Sequence, residues 1–293
     1  MLKALWAFEP FHQNAISLKG MYLLLRQLVG TASNIEVGFV VTRSEPELYL
    51  AYNIHENARF TSYPRKVMKD ALRKAKVIIE DKRLHLIDFD TISNTKAVDR
   101  FLALAQSRGA GLIALYTHGR NGYKRFLLGS FAETAIHRSK INLLLINPLS
   151  KVPLKIKSII FASDFTPASK KFLKRSLEIC LQTRARLTVF HVAEVMYRWS
   201  LDEANPKIHA YRKEIRQMSA WIEKECNSVN VPCEVIVTTE IRPMTDLVLR
   251  AADKVKADLI IVVAKVGRIA ALMGGSTTRQ LVRASTKPIL VFK

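Results

Sequence analysis

Two stretches of the chain combine glycines, hydroxyls and basic neighbours at a spacing suited to an oxyanion. Tyr116, His118 and Gly119 open the first, and Gly129 and Ser130 close it after nine intervening residues. The second runs from Ala264 through Lys265, Gly267 and Arg268 to Gly275, Ser276 and Thr277. Each follows an apolar run, residues 111–115 or 259–263, and each precedes a helical pattern. A strand, a glycine-bearing loop and a helix start bring unpaired N–H groups and the positive end of a helix dipole to one point, which suits a phosphate. Glycine also lets the backbone approach the anion with no Cβ in the way. Ser130 either offers its hydroxyl to the anion or caps the helix, since Ser130 and Glu133 are spaced as a capping box; Thr277 and Gln280 repeat that spacing. In the second stretch seven residues separate Gly267 from Gly275, so the second loop has a different shape.

An acidic residue follows the first apolar strand of each half, Glu9 in one and Asp164 in the other. There a carboxylate either accepts from a ribose or ring amine, helps hold a metal, or caps the following turn. His118 can touch a phosphate, whereas His191 lies within a strand run and reads as a structural histidine. Neither a phosphate-loop Gly-Lys-Ser/Thr nor a Gly-x-Gly-x-x-Gly after a first strand occurs. No nucleophile with a neighbouring base and no paired carboxylates are visible, so binding is expected rather than turnover, with no catalytic residue named. Cys180, Cys226 and Cys233 lack metal-ligand spacing, and no metal site is expected.

The chain has 293 residues, 49% of them hydrophobic and 24% charged, enough for two domains of ordinary size. No apolar run approaches the roughly 20 residues of a bilayer span. The first residues read as too short in apolar character for a secretory signal, so a cytoplasmic protein without membrane contact is expected. The formal net charge is +21, with 21 basic and 12 acidic residues in 1–150 and 25 and 13 in 151–293. An excess spread over both halves attracts polyanions through steering and counterion release, so nucleic acid is a candidate partner.

The elements that position these residues follow from periodicity. Strands are expected at 3–8, 35–41, 84–89, 111–115 and 142–146. Helices are expected at about 13–29 (Ile16, Met21, Leu24, Leu25 and Leu28 inward), 63–81 (Val67, Leu72, Ala75, Ile78 and Ile79 inward), 95–107 and 130–138. A long connection, 44–60, lies between them. After residues 150–153 the order begins again, with strands at 157–162, 186–192, 233–238, 259–263 and 288–292. The second set of helices is expected at 167–183, with Thr166 as N-cap and Pro167 at the first position, then at 208–229, 243–254 and after Ser276. Another long connection spans 194–207. An internal duplication with helices between strands predicts an α/β chain of two tandem doubly wound domains, 1–149 and 154–293. Each has a mostly parallel five-stranded sheet with helices on both faces. In such sheets ligands sit beyond the carboxyl ends of the strands.

With the repeat and loop in hand, the chain resembles the universal stress protein family in its tandem two-domain form. The family's signature is Gly-x-x-Gly, nine residues, then Gly-Ser/Thr, with an Asp at the end of the first strand. The first half matches it at Gly119, Gly129 and Ser130, with Tyr116 in place of the first glycine and Glu9 in place of the Asp. The second half keeps Asp164 and the final pair Gly275 and Ser276, with Thr277 next, but not the loop spacing. The resemblance implies an adenine nucleotide alpha hydrolase-like fold that binds ATP or AMP, with Mg2+ if ATP, and it leaves slow ATP hydrolysis open. It also implies adenine contacts near Val41 and Val192, at the ends of the second strands. It further implies a stress-response role through binding, and an intramolecular pseudo-dimer in which 143–146 and 289–292 pair, leaving a homodimer open. Each half lacks what the other retains, so residual nucleotide binding is expected in one of them.

Overall fold

In this computed structural model residues 2–9, 14–42, 62–89, 94–117, 130–147, 150, 152–193, 206–264 and 275–293 are described. The chain divides into two compact units, Met1–Leu154 and Lys155–Lys293. Unit 1 contains β1 (Ala4–Ala7), α1 (Ala15–Val29), β2 (Ile35–Thr42), α2 (Ser62–Lys74), β3 (Leu84–Phe89), α3 (Asn94–Ser107), β4 (Leu112–Tyr116), α4 (Ser130–Arg138) and β5 (Asn142–Ile146). Unit 2 repeats the order with β6 (Ser158–Ala162), α5 (Pro167–Thr183), β7 (Arg186–Val192), α6 (Pro206–Ser228), β8 (Cys233–Thr238), α7 (Met244–Lys254), β9 (Leu259–Val263), α8 (Gly275–Ala284) and β10 (Ile289–Phe292).

Unit 1 holds a parallel sheet in the order β3-β2-β1-β4-β5, and unit 2 holds β8-β7-β6-β9-β10, the same topology. Right-handed crossovers place α1 and α2 on one face of the first sheet and α3 and α4 on the other, so both faces are covered. That is why the central strands are apolar throughout rather than alternating: all five residues of β4 are buried, as are the first four of β9.

Helix boundaries follow local chemistry. Asn14 caps α1 by accepting from the Ser17 N–H at 2.8 Å, and Gly30, at φ 82°, ends it by donating to the Arg26 carbonyl. Met21, Leu24, Leu25 and Leu28 face the core as their spacing predicts, whereas Ile16, in the first turn, is 83% exposed. Helix α2 stops at Lys74 rather than near residue 81. Lys76 turns to φ 55° and the Val77 N–H reaches back to the Leu72 carbonyl, closing the helix. The chain is therefore no longer helical at Ile78, which is 85% exposed instead of inward. Helix α6 begins at Pro206, inside the expected connection, and the rest of that connection, 194–205, lies outside the described residues, as does all of 44–60. Among the described residues no helix is long and apolar enough to cross a membrane.

At the amino edge of the first sheet, Glu36 joins two elements. It accepts from His85 Nε2 at 2.6 Å and from Arg108 Nε at 2.7 Å and Nη2 at 3.1 Å. Burial pushes the Glu36 carboxyl up, but hydrogen bonds from Arg108 and His85 outweigh it and hold the group below its usual 4.5. A depressed folded-state value means that the stabilisation is present above the unfolded value and fades as pH falls through the folded one. Glu36→Gln is expected to cost about 1–3 kcal/mol at neutral pH. In urea titrations the gap between wild type and variant should narrow as pH falls below the usual carboxylate range. A gap unchanged at acid pH would contradict this assignment.

Candidate functional site at the carboxyl edges of the sheets

In unit 1 strand order reverses at β1, so the switch point lies between β1 and β4. Connections leave these two strands toward opposite faces, which opens a crevice beyond their carboxyl ends. Glu9 follows β1 there and is half-buried. The ladder reaches its doorstep, since the Phe8 N–H donates to the Gly38 carbonyl at 2.9 Å. Val41, buried near the end of β2, lies at the same edge. Beyond β4, Thr117 is 1% exposed and its N–H donates to the Ile146 carbonyl. Ser130 is the first residue of α4, so the helix starts where the chain returns from this edge. His118, Gly119 and Gly129 lie outside the described residues. The structure therefore brings Glu9, Val41 and the start of α4 to one edge of one sheet.

Tyr116, which stands where the family signature has its first glycine, is tied down. Its hydroxyl donates to the Ser17 carbonyl at 2.6 Å in the first turns of α1, and burial pushes the phenol above its usual range. The ring thus serves the junction of β4 with α1. Its side chain is committed to the core, with 8% exposure.

The equivalent edge of unit 2 is organised differently. Asp164 is exposed, and its Oδ1 accepts from the Thr166 N–H at 3.1 Å, the Thr166 hydroxyl at 2.7 Å and the Ser169 hydroxyl at 2.5 Å. Thr166 is the N-cap residue and Pro167 sits at the first position, as the sequence predicts, but the Thr166 side chain makes no capping bond to the backbone. Asp164 draws both hydroxyls and shapes the turn, so the turn-capping alternative describes its Oδ1.

Next to it Phe165 adopts φ 57°, a left-handed conformation costing a non-glycine residue about 1–2 kcal/mol. The strain is offset by a ring stack: Phe165 lies on His191 with centroids 4.1 Å apart and planes 9° apart. His191 is 6% exposed, with Nδ1 2.9 Å from the Ser163 carbonyl and Nε2 3.4 Å from the Tyr211 hydroxyl. A carbonyl only accepts, so Nδ1 carries the proton. This is the structural histidine that the strand pattern predicts. Its stacking on Phe165 was invisible in sequence, because φ at position 165 and the β6–β7 pairing decide it. Val192 ends β7 opposite Thr238 and is half-buried. Gly275, Ser276 and Thr277 form the first turn of α8, and residues 265–274 lie outside the described residues.

Burial pushes the Cys180 thiol up to about 12, leaving it a core side chain. Among the described residues no three His, Cys, Asp or Glu side chains converge as a metal would require.

Solved structures share this architecture. A universal stress protein from Archaeoglobus fulgidus matches at 18% identity and TM-score 0.64, covering 99% of this chain and 96% of its own. A functionally unknown protein from Pseudomonas aeruginosa matches at 15% identity and TM-score 0.64, covering 100% and 92%. An Archaeoglobus fulgidus universal stress protein in complex with dAMP covers 47% of this chain and 98% of its own, at 14% identity and TM-score 0.35. Among curated proteins none matches. The sequence model described as the Universal stress protein family matches twice, over residues 63–147 and 155–293, once in each half of the duplicated fold. With these matches covering most of its length, the chain belongs to the universal stress protein family, in a tandem form.

Proposed function

We propose that this universal stress protein binds one adenine nucleotide, at the carboxyl edge of the unit 1 sheet, and acts by binding rather than by turnover. The observation that carries the reading is the coincidence at one edge of the β1/β4 switch point, half-buried Glu9 and the start of α4. The stretch leading into α4 contains Gly119, Gly129 and Ser130 at the family spacing. In this reading their backbone and the Ser130 hydroxyl hold the phosphates, with His118 beside them. Glu9 accepts from the ribose, and the backbone near Val41 meets the adenine. ATP would bring Mg2+, and AMP would not need it.

Unit 2 is the weaker candidate. Its Asp164 Oδ1 is engaged within its own turn, and Phe165 is stacked on His191 beside it. A ligand there, reaching Gly275, Ser276, Thr277 and the backbone near Val192, competes with interactions the protein already makes. We further propose that the domains span 1–149 and 154–293 and that the protein works in the cytoplasm as a stress-response binding protein.

Calorimetry with AMP, and with ATP plus Mg2+, tests the reading. One equivalent per chain is expected for wild type and for Asp164→Ala, with affinity falling at least about tenfold in Gly129→Val, a change of about 1.4 kcal/mol. The absence of saturable heat with either nucleotide, or a loss confined to Asp164→Ala, would overturn it.

A further inference from the structure

We propose that the groove between α5 and α6 of unit 2 binds single-stranded nucleic acid, holding backbone phosphates on Lys170, Lys171, Lys174 and Arg175 and one base on Trp221. These five side chains line an open depression of ≈ 620 Å³ on the helical face of the unit. It is separate from the strand edges and does not depend on nucleotide binding there.

The four cations lie on two turns of one helix. Lys170 and Lys174, and likewise Lys171 and Arg175, are one turn apart, about 6 Å along the axis. Like charges at this spacing destabilise a helix by about 0.2–0.5 kcal/mol per pair. Among the described residues no carboxylate forms an ion pair with any of the four, and only Glu178, one turn from Lys174 on the same helix, sets an opposite charge at that spacing. An incoming polyanion would relieve that repulsion and release its own counterions.

Trp221 gives the groove its second chemistry. The indole is half-buried on α6, and the Lys170 ammonium sits over its ring, 4.9 Å from the centroid. At an exposed site this cation–π contact is worth about 0.5–1 kcal/mol. A base stacked on the same face gains about 1–3 kcal/mol, and Lys170 is then free to swing onto a phosphate. The exchange favours the strand on both counts. A duplex cannot make it, because its bases are already stacked and paired. An acidic peptide satisfies the cations but leaves the ring unused, and one indole is a small apolar area for inserting into a lipid surface.

Glu178 and Glu225 line the same depression, each one turn beyond Lys174 and Trp221 respectively. Both helices follow strands of one parallel sheet and so run in the same direction, which puts both carboxylates on the carboxyl-terminal side of the Lys170–Trp221 contact. The two carboxylates repel phosphates and bias them toward Lys170 and Lys171.

Fluorescence anisotropy of a labelled oligouridylate with the full-length protein tests this. Four neutralised phosphates give a log–log salt slope of about −3, roughly a 50-fold loss of affinity between about 50 and 200 mM salt. Replacing Lys170, Lys171, Lys174 and Arg175 by Ala is expected to cut that slope by more than half. Trp221→Leu should weaken binding about 5- to 150-fold with the slope unchanged, and Trp221→Phe should recover most of the loss. A control that removes the exposed Lys66, Lys74, Lys96 and Lys140 of unit 1 subtracts the same charge away from the groove and should leave the affinity within about twofold. Circular dichroism of each variant establishes that it is folded. Equal losses in the groove and control sets, no effect of Trp221→Leu, equal binding of a duplex, or no salt-sensitive binding by wild type would each overturn the proposal.

Discussion

Replacing His191 by leucine is expected to destabilise unit 2 by about 2–4 kcal/mol. The imidazole is buried, and losing it leaves the Ser163 carbonyl without its side-chain donor, worth about 1–3 kcal/mol. The lost Phe165 stack adds about 0.5–1.5 kcal/mol, and the apolar volume of leucine recovers part of the total. The consequence extends to the neighbouring turn. The stack offsets much of the strain in the left-handed Phe165 backbone, so without the imidazole the Asp164 turn loses that support. Urea unfolding gives the stability, and the Phe165→Gly, His191→Leu double variant gives the coupling. Glycine adopts φ 57° freely, so it relieves the strain while removing the stack. The double variant should therefore lose less than the sum of the singles. A loss below about 1 kcal/mol for His191→Leu, or strict additivity, would show that the stack does not hold the turn.

Gly38→Val is expected to cost unit 1 about 3 kcal/mol, at the upper end of ordinary overpacking. A Cβ at position 38 meets Phe101 Cε2 at 2.8 Å, with Leu104 Cδ2 and Leu5 Cδ1 each at 3.6 Å. Phe101 has little room to retreat: it is 1% exposed and packed edge-on against Phe131, centroids 5.7 Å apart. The glycine also ties β2 to the end of β1, because its carbonyl receives the Phe8 N–H. A shift of β2 therefore displaces Glu9 and Val41 together. The proposed nucleotide binding at that edge should fall in the same variant that loses stability. Phe101→Leu in the Gly38→Ala background is expected to restore more than half of the alanine cost. Equal midpoints for Gly38→Ala and wild type in urea would show that Phe101 yields freely.

Much of this architecture was legible in the sequence because the forces that set it are periodic. Apolar runs such as 112–116 and 259–263 are buried on both faces, which marks parallel strands under two helical layers. Met21, Leu24, Leu25 and Leu28 share one face of a 3.6-residue helix whatever the remainder of the chain does. Ile16 and Ile78 show where periodicity stops being informative. One lies in the exposed first turn of α1, and the other follows a helix end fixed by the left-handed Lys76, so neither finds the core its type predicts.

The sequence by itself determined the duplication, the α/β order and the two strand-loop-helix junctions. Those properties are local or repeat at a fixed period. The tertiary structure alone decided what the junctions are surrounded by. Tyr116 reaches 99 positions back to the Ser17 carbonyl, Phe165 meets His191 across paired strands, and Lys170 meets Trp221 across two helices. Spacing cannot encode such meetings, because they depend on which strands pair and which helices lie side by side. They are also what separates the two halves: the first keeps Glu9 at its switch-point edge beside a tethered Tyr116, and the second commits Asp164 to its own turn.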